Sequence, residues 1–227
     1  MKFAPIIYLI GMLLCILSLF MLIPALVDWF YGSRDWPAFI ASSLTTLIVG
    51  GALFLSARGS ATEHLELRQA FLLTNSAWIS IALFGSLPFL FSDINMSITD
   101  AIFESTSGIT TTGATVIDTL DSTSHGILIW RALLQWLGGV GIIVMALAIL
   151  PMLSIGGMQL FKTESYETPD KVVPKAASFA AGISIVYITL TSAWAFMLWG
   201  AGMPIFDSVA HAMTTLATGG YSTKSSS

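Results

Sequence analysis

Two short stretches rich in threonine and glycine carry the residue types in this chain that are best suited to chemistry. Residues 110–115 read Thr-Thr-Thr-Gly-Ala-Thr, and residues 217–222 read Ala-Thr-Gly-Gly-Tyr-Ser. The regions around them align without a gap at an offset of 107 residues, with the pairs Asp100 and Asp207, Thr111 and Thr218, and Gly113 and Gly220. Hydroxyls and backbone carbonyls presented at membrane depth can replace the water around a dehydrated cation. The repeated pattern therefore indicates a candidate ion pathway.

The composition places both Thr/Gly stretches in a membrane protein. The 227 residues are 55% hydrophobic and 10% charged, and the mean hydropathy is +0.83. Apolar runs longer than about 18 residues predict transmembrane helices. Five such runs occur, at about residues 4–27, 38–56, 69–91, 127–150 and 176–200. The predicted fold class is therefore an all-α integral membrane protein, with membrane lipid as its surroundings.

Charge and motif content argue against two other classes of function. The formal net charge is −4 and no basic patch contains interleaved aromatic residues, so nucleic acid is not an expected partner. The sequence lacks a Gly-x-x-x-x-Gly-Lys-Ser/Thr phosphate loop, a Cys/His cluster with metal spacing and a Gly-x-Ser-x-Gly elbow. The chain is therefore not expected to be an enzyme or to hold a cofactor.

The basic residues predict which side of the membrane each loop occupies. A cytoplasmic N-terminus puts six of the nine Lys and Arg residues inside, namely Lys2, Arg58, Arg68, Lys162, Lys171 and Lys175. The remaining three, Arg34, Arg131 and Lys224, then lie outside or near the outer face. The positive-inside rule favours this orientation. Both Thr/Gly stretches then open to the outside, and the two repeats run in the same direction.

Residues 98–115 have the right length for a segment that enters the membrane and returns. Residues 98–109 predict a short helix of about 18 Å, with Thr99 as its N-cap and Asp100 at the positive end of its dipole. Residues 110–115, if extended, return about 20 Å. Non-helical backbone at this depth needs a wet cavity or surrounding protein. The helix C-terminus would then present partial negative charge to a cation.

The sequence resembles the Trk-type potassium uptake proteins. The likeness rests on both Thr/Gly stretches, on the run Arg-Ala-Leu-Leu-Gln-Trp-Leu-Gly-Gly-Val-Gly-Ile at residues 131–142, and on Gly-Met-Pro-Ile-Phe-Asp at residues 202–207. It covers essentially the whole chain. Members of that family build one K⁺ pathway from four repeats of outer helix, pore helix, filter and inner helix, after two extra transmembrane helices.

The resemblance implies a division of the chain and a set of ligands. Residues 1–60 would form the two extra helices, 69–157 the first repeat, 158–175 a cytoplasmic loop, and 176–227 a second repeat that stops after its filter. The filter carbonyls that would coordinate K⁺ belong to Thr110, Thr111, Thr112 and Gly113, and to Ala217, Thr218, Gly219 and Gly220. In related plant transporters, glycine rather than serine at the last filter position is associated with preference for K⁺ over Na⁺.

The resemblance also implies partners and a location. It predicts a homodimer in the bacterial inner membrane, with a cytoplasmic N-terminus and a peripheral nucleotide-binding regulatory subunit on the cytoplasmic side. The second inner helix and two further repeats do not follow Ser227, so the chain is expected to be about half of a complete transporter. K⁺ would be the transported ion.

Two alternative functions stay open at this point. Proton- or sodium-coupled symport of K⁺ needs an ionisable residue, and Glu104 and His211 occupy equivalent positions in the two regions. Hydrogen bonding that braces the filter is the preferred role for both residues. A membrane scaffold that recruits the regulatory subunit through residues 157–175 is the other alternative.

Several other residues have expected roles in packing. Arg131 is expected to pair with Glu104 or Asp100 behind the filter, because a charge near membrane depth is usually paired. Glycines 138, 139 and 141 are expected to allow close helix approach. Tryptophans near span ends are expected to form an interfacial aromatic belt, namely Trp29, Trp36, Trp130, Trp194 and Trp199.

Overall fold

All regular secondary structure in the described part of the chain is helical. The computed structural model describes residues 3–60, 67–153 and 172–225. Its helices are α1 (Ala4–Phe20), α2 (Leu22–Tyr31), α3 (Trp36–Ser56), α4 (Leu67–Gly85), α5 (Leu87–Phe91), α6 (Ile98–Ile109), α7 (His125–Leu153), α8 (Val172–Gly200) and α9 (Ile205–Leu216), with short 3₁₀ turns at Arg58–Ser60 and Leu120–Ser122. No strand occurs within these residues. The predicted all-α fold class is confirmed.

Within the described residues, five helical segments are long and apolar enough to cross a membrane. They are Ala4–Tyr31, Trp36–Ser56, Arg68–Phe91, His125–Ile143 and Gly182–Gly200. The first combines α1 and α2, and the third combines α4 and α5. These segments agree with the five runs expected from hydropathy. Many large apolar side chains remain exposed, as in a protein surrounded by lipid.

Helix α7 lies at the centre of the described structure. Of its apolar stretch of membrane length, 61% is buried inside the protein, against 11% of the corresponding stretch in α8. The buried core gathers around Ile127, Trp130 and Leu134 of this helix. Because α7 packs on both short helices, α6 and α9, it can fix their positions relative to each other.

Trp130 is a core residue, and its expected place in an aromatic belt is wrong. Its side chain is fully buried. The indole nitrogen donates a hydrogen bond of 2.9 Å to the carbonyl of Gly85, where the third span breaks between α4 and α5. Pro88, which has no backbone N–H, lies just beyond this break. Position near a span end therefore does not distinguish an interfacial tryptophan from a buried one that donates a hydrogen bond to a carbonyl at a helix break.

Asp28, on the first span, is bound to the start of α7. The side chain is fully buried, and its Oδ1 accepts a 2.6 Å hydrogen bond from the backbone N–H of Gly126. A carboxylate is favourable there because the first N–H groups of a helix have no partner within the helix and carry partial positive charge. The first span is thereby tied to the central helix.

The structure describes one end of the expected cytoplasmic loop, where it joins the second repeat. Most of the expected cytoplasmic loop, 158–175, and of the scaffold segment, 157–175, lies outside the described residues. The last four loop residues, 172–175, belong to α8, so the helix that contains the fifth apolar run starts earlier than hydropathy indicated. Hydropathy misses this start because Lys175 lowers the local average.

The N-cap of α6 is Ser97, and the expected cap at Thr99 is wrong. Ser97 has extended backbone angles and its hydroxyl accepts from the backbone N–H of Asp100 at 3.2 Å. We expect Ser97→Ala to lower the free energy of unfolding by about 1 kcal/mol, because one helix N–H loses its acceptor. Thr99→Ala is the matched control and should change it by less than about 0.5 kcal/mol. Thermal unfolding in detergent measures both, and equal losses would contradict the assignment.

Candidate ion-binding site

The two short helices end in the same backbone conformation. Thr111 has φ +56° and Thr218 has φ +55°. The backbone N–H of Thr111 donates to the carbonyl of Gly108 at 3.0 Å, and that of Thr218 donates to Thr215 at 2.9 Å. Each helix therefore closes through a left-handed residue at the equivalent position.

A second hydrogen bond completes this closure in both copies. Thr112 N–H donates to the Ser107 carbonyl, and Gly219 N–H donates to the Thr214 carbonyl, both at 2.9 Å. This pair of bonds is the Schellman motif, which usually places glycine in the left-handed position. A β-branched threonine there is strained, and such strain concentrates at functional sites. The same strain in both copies indicates that this chain reversal has a use beyond ending a helix.

The two Thr/Gly stretches touch at their glycines. Gly113 and Gly220 have φ of +81° and +77°, which only glycine adopts at no steric cost. A Cβ added to Gly113 would collide with the carbonyl oxygen of Gly219. The structure thus brings together the two sets of residues that the sequence pairs at a distance of about 100 positions.

The carbonyl oxygens of the predicted ligands accept no hydrogen bond from the part of the protein that the structure describes. Within the described residues, no hydrogen bond reaches the carbonyls of residues 110–113 or of residues 217–220. The carbonyls that come next are different, since Ala114 accepts from Ser107 and Tyr221, and Ser222 accepts from Arg131. Free carbonyls at a helix C-terminus concentrate negative potential, which is the electrostatic requirement for binding a cation.

Arg131 pairs with Glu104 behind the first stretch, as expected. The Nε of Arg131 lies 2.7 Å from Oε1 of Glu104, and the two side chains are 1% and 0% exposed. The sequence left Asp100 open as the partner, but Asp100 instead bonds the hydroxyl of Ser97 at the start of α6. Because Arg131 is neutralised here, it does not stand as a free charge beside the free carbonyls.

Glu104 also holds the outgoing limb of the first stretch. Its carboxylate accepts from the Thr115 hydroxyl at 3.0 and 3.1 Å and from the Val116 N–H at 3.0 Å. His211 acts similarly in the second copy, where Nδ1 lies 2.8 Å from the Asp207 carbonyl and Nε2 faces the Ser222 hydroxyl at 3.4 Å. These contacts agree with bracing as the role of both residues.

The α7 glycines that were expected to allow close helix approach differ in what surrounds them. A Cβ on Gly138 would collide with the carbonyl of Ile109, the last residue of α6. A Cβ on Gly139 would lie 2.6 Å from the Tyr187 hydroxyl and 3.1 Å from the Cα of Ala217. Gly141 meets only ordinary contacts. Two of the three glycines therefore let α7 lie close to the points where the two Thr/Gly stretches begin.

Gln135 and Tyr221 contribute to the site although the sequence alone did not single them out. The Oε1 of Gln135 accepts from the Tyr221 N–H at 3.2 Å, and its side chain fills the space where Gly219 lacks one. The signal that could have found Gln135 is an amide one helical turn after Arg131 in a largely apolar run. The structure buries this amide fully, and buried polar groups need partners. No local pattern marks Tyr221, whose contacts lie more than 80 positions away in the chain.

Comparison with known proteins places this geometry in a family. A family model described as TrkH, cation transport protein, matches residues 36–227. The Trk system potassium uptake protein TrkH of Salmonella typhimurium is 43% identical over 230 residues, covering 100% of this chain and 47% of the relative. TrkI of Halomonas elongata is 40% identical over 228 residues, covering 100% of this chain and 46% of the relative.

A solved structure agrees with the sequence relatives. The crystal structure of the potassium transporter TrkH from Vibrio parahaemolyticus has a TM-score of 0.89 and 41% identity, covering 100% of this chain and 46% of that one. The chain spans about half the length of the curated relatives it matches. Those relatives are named as potassium uptake proteins, which agrees with the expectation that this chain is not an enzyme. The chain belongs to the TrkH family of cation transport proteins.

Proposed function

We propose that this chain supplies part of a K⁺ pathway across the membrane. In this proposal the carbonyl oxygens of eight residues coordinate the dehydrated ion, namely Thr110, Thr111, Thr112, Gly113, Ala217, Thr218, Gly219 and Gly220. The observation that supports it is the contact between two Thr/Gly stretches of matching backbone form, whose carbonyls accept no hydrogen bond from the described residues. Carbonyls of this kind can replace a hydration shell.

The proposed arrangement follows the repeats inferred from sequence. Residues 1–60 precede the pathway, 69–157 form its first repeat, and 176–227 contribute the second repeat as far as its filter. Segments that enter the membrane and return on the same side suit this role. Their helices, α6 and α9, have 12 residues each, and neither is long enough to cross a bilayer. Passive, selective passage down the electrochemical gradient is the mechanism that this geometry supports best.

The proposed assembly includes further partners. We place the protein in the bacterial inner membrane with its N-terminus in the cytoplasm, as a homodimer that binds a peripheral nucleotide-binding subunit. The relatives named as parts of a Trk system support an assembly of this kind. Coupled symport through Glu104 or His211 is less well supported, because Glu104 is fully engaged by Arg131, Thr115 and Val116.

Gly113→Ser in the intact protein tests the proposed function. We expect the ratio of Rb⁺ to Na⁺ uptake in proteoliposomes to fall by about tenfold, because a Cβ at this position meets the Gly219 carbonyl and disturbs a ligand oxygen in each stretch. An unchanged ratio would count against carbonyl coordination at Gly113.

Gly202→Ser is the matched control for this experiment. Gly202 has φ +100°, so serine carries a similar backbone strain there, but a Cβ meets no atom within 4 Å. The control should therefore retain the wild-type uptake ratio. If both variants lose discrimination equally, backbone strain rather than contact between the stretches is responsible.

A further inference from the structure

Tyr221 links the second Thr/Gly stretch to the back of the first. The residue is 4% exposed, and its phenolic oxygen lies 3.0 Å from the carbonyl oxygen of Glu104 and 3.2 Å from that of Ala114. Since a phenol has one proton to donate, these two carbonyls share it. Tyr221 therefore contacts both helix α6 and the outgoing limb of the first stretch.

The backbone around Tyr221 is itself anchored to α7. Its N–H donates to Oε1 of Gln135 at 3.2 Å. The guanidinium carbon of Arg131 lies 4.0 Å from the centre of its ring, and Nη1 of Arg131 donates to the Ser222 carbonyl at 3.0 Å. Because Arg131 and Gln135 are one turn apart on α7, the second stretch is held by the helix that follows the first.

The hydrogen bonds of Tyr221 reach the candidate site at the carbonyl of Ala114. It accepts from the Ser107 hydroxyl at 2.5 Å as well as from Tyr221. Ala114 directly follows Gly113, whose own carbonyl is free and whose glycine backbone can rotate easily. Holding the Ala114 oxygen behind the stretch restricts rotation of the preceding peptide, and with it the direction of the Gly113 carbonyl.

We propose that Tyr221 is a positioning residue for cation selectivity, which keeps the free carbonyls of the two Thr/Gly stretches in a fixed relation through its hydroxyl. The inference rests on the proposed function, because it assigns a source of selectivity to the same carbonyls. It does not make Tyr221 a ligand, since the phenol bonds the carbonyls of Glu104 and Ala114, which lie outside residues 110–113. Selectivity in this site depends on carbonyl geometry that the protein must maintain.

Tyr221→Phe in the intact protein tests this role while preserving the ring and its contact with Arg131. We expect the Rb⁺ to Na⁺ uptake ratio in proteoliposomes to fall about fivefold, the factor that corresponds to loss of one ordinary hydrogen bond. The maximal Rb⁺ uptake rate should stay within about twofold of wild type, because no ligand is removed. A purely structural role would lower the rate and leave the ratio unchanged.

Two further variants separate the effect of the hydroxyl from general destabilisation. Tyr187→Phe removes another buried phenol, which donates to the Trp136 carbonyl at 3.3 Å. Within the described residues no hydrogen bond joins Tyr187 to residues 110–115, so the uptake ratio of this variant should equal that of wild type. Ser107→Ala removes the other donor to the Ala114 carbonyl. Combining it with Tyr221→Phe should lower the ratio by more than the product of the two single effects, because the same carbonyl loses both restraints.

Each outcome decides the inference. A selective wild type with an equally selective Tyr221→Phe overturns it and leaves the proposed function standing. A wild type without preference for Rb⁺ over Na⁺ overturns the proposed function and this inference with it. If Tyr221→Phe does not accumulate in membranes, Ser107→Ala decides alone, and an unchanged ratio in that variant overturns the inference.

Discussion

Arg131→Met is expected to destabilise the protein by about 3–5 kcal/mol, the largest loss among the substitutions considered. Glu104 would keep its charge in a site where its side chain is 0% exposed, without the cation that lies 2.7 Å away. Removing one partner of a buried pair costs far more than the pair itself contributes. Unfolding in mixed detergent micelles, together with the amount of folded protein in membranes, measures the loss.

The companion variants identify the cause. Arg131→Met combined with Glu104→Gln removes both charges and should recover about half of the lost stability, because no uncompensated carboxylate remains. Arg34→Met changes an exposed arginine and should stay within about 0.5 kcal/mol of wild type. Strictly additive losses in the double variant would show that the ion pair is not the source of the effect.

Gly138→Ala is expected to cost about 3 kcal/mol, at the upper end of the range for overpacking. The added Cβ would collide with the backbone carbonyl of Ile109, which cannot move aside as the end of a flexible side chain could. Ile109 immediately precedes the first Thr/Gly stretch, so the displacement should also reduce Rb⁺ uptake. Thermal unfolding and uptake measured on the same preparation test both effects.

Gly182→Ala is the control for this substitution. Gly182 lies within helix α8, and a Cβ there meets no atom within 4 Å. Alanine should therefore be neutral or stabilise the protein by up to about 1 kcal/mol through its helix propensity. Equal destabilisation by both substitutions would mean that close approach of α7 to α6 is not what Gly138 provides.

Features set by local sequence were predictable. The limits of α6 at Ile98 and Ile109 follow from the polar turn before it and the Thr/Gly stretch after it. The five spans follow from apolar length alone. Pairing of Arg131 with Glu104 was also expected, since an arginine at this depth needs a counter-ion and few acidic residues lie nearby in the sequence.

Features set by the detailed backbone angles of a turn, or by tertiary contact, were not predictable. Ser97 and Thr99 both offer a hydroxyl at the start of α6, and only the extended backbone of Ser97 decides between them. The hydrogen bond from Tyr221 to Glu104 joins residues 117 positions apart. Periodicity describes one helix at a time, so it cannot reveal which distant carbonyl a buried phenol will reach.

Asp28 bears on where this fold can be divided. The family model begins at residue 36, after the whole of the first span. The carboxylate that binds the first turn of α7 lies upstream of that point. The region matched by the family model is therefore shorter than the part of the chain that holds the fold together. A version of the protein trimmed to the matched region would lose the carboxylate that anchors its central helix.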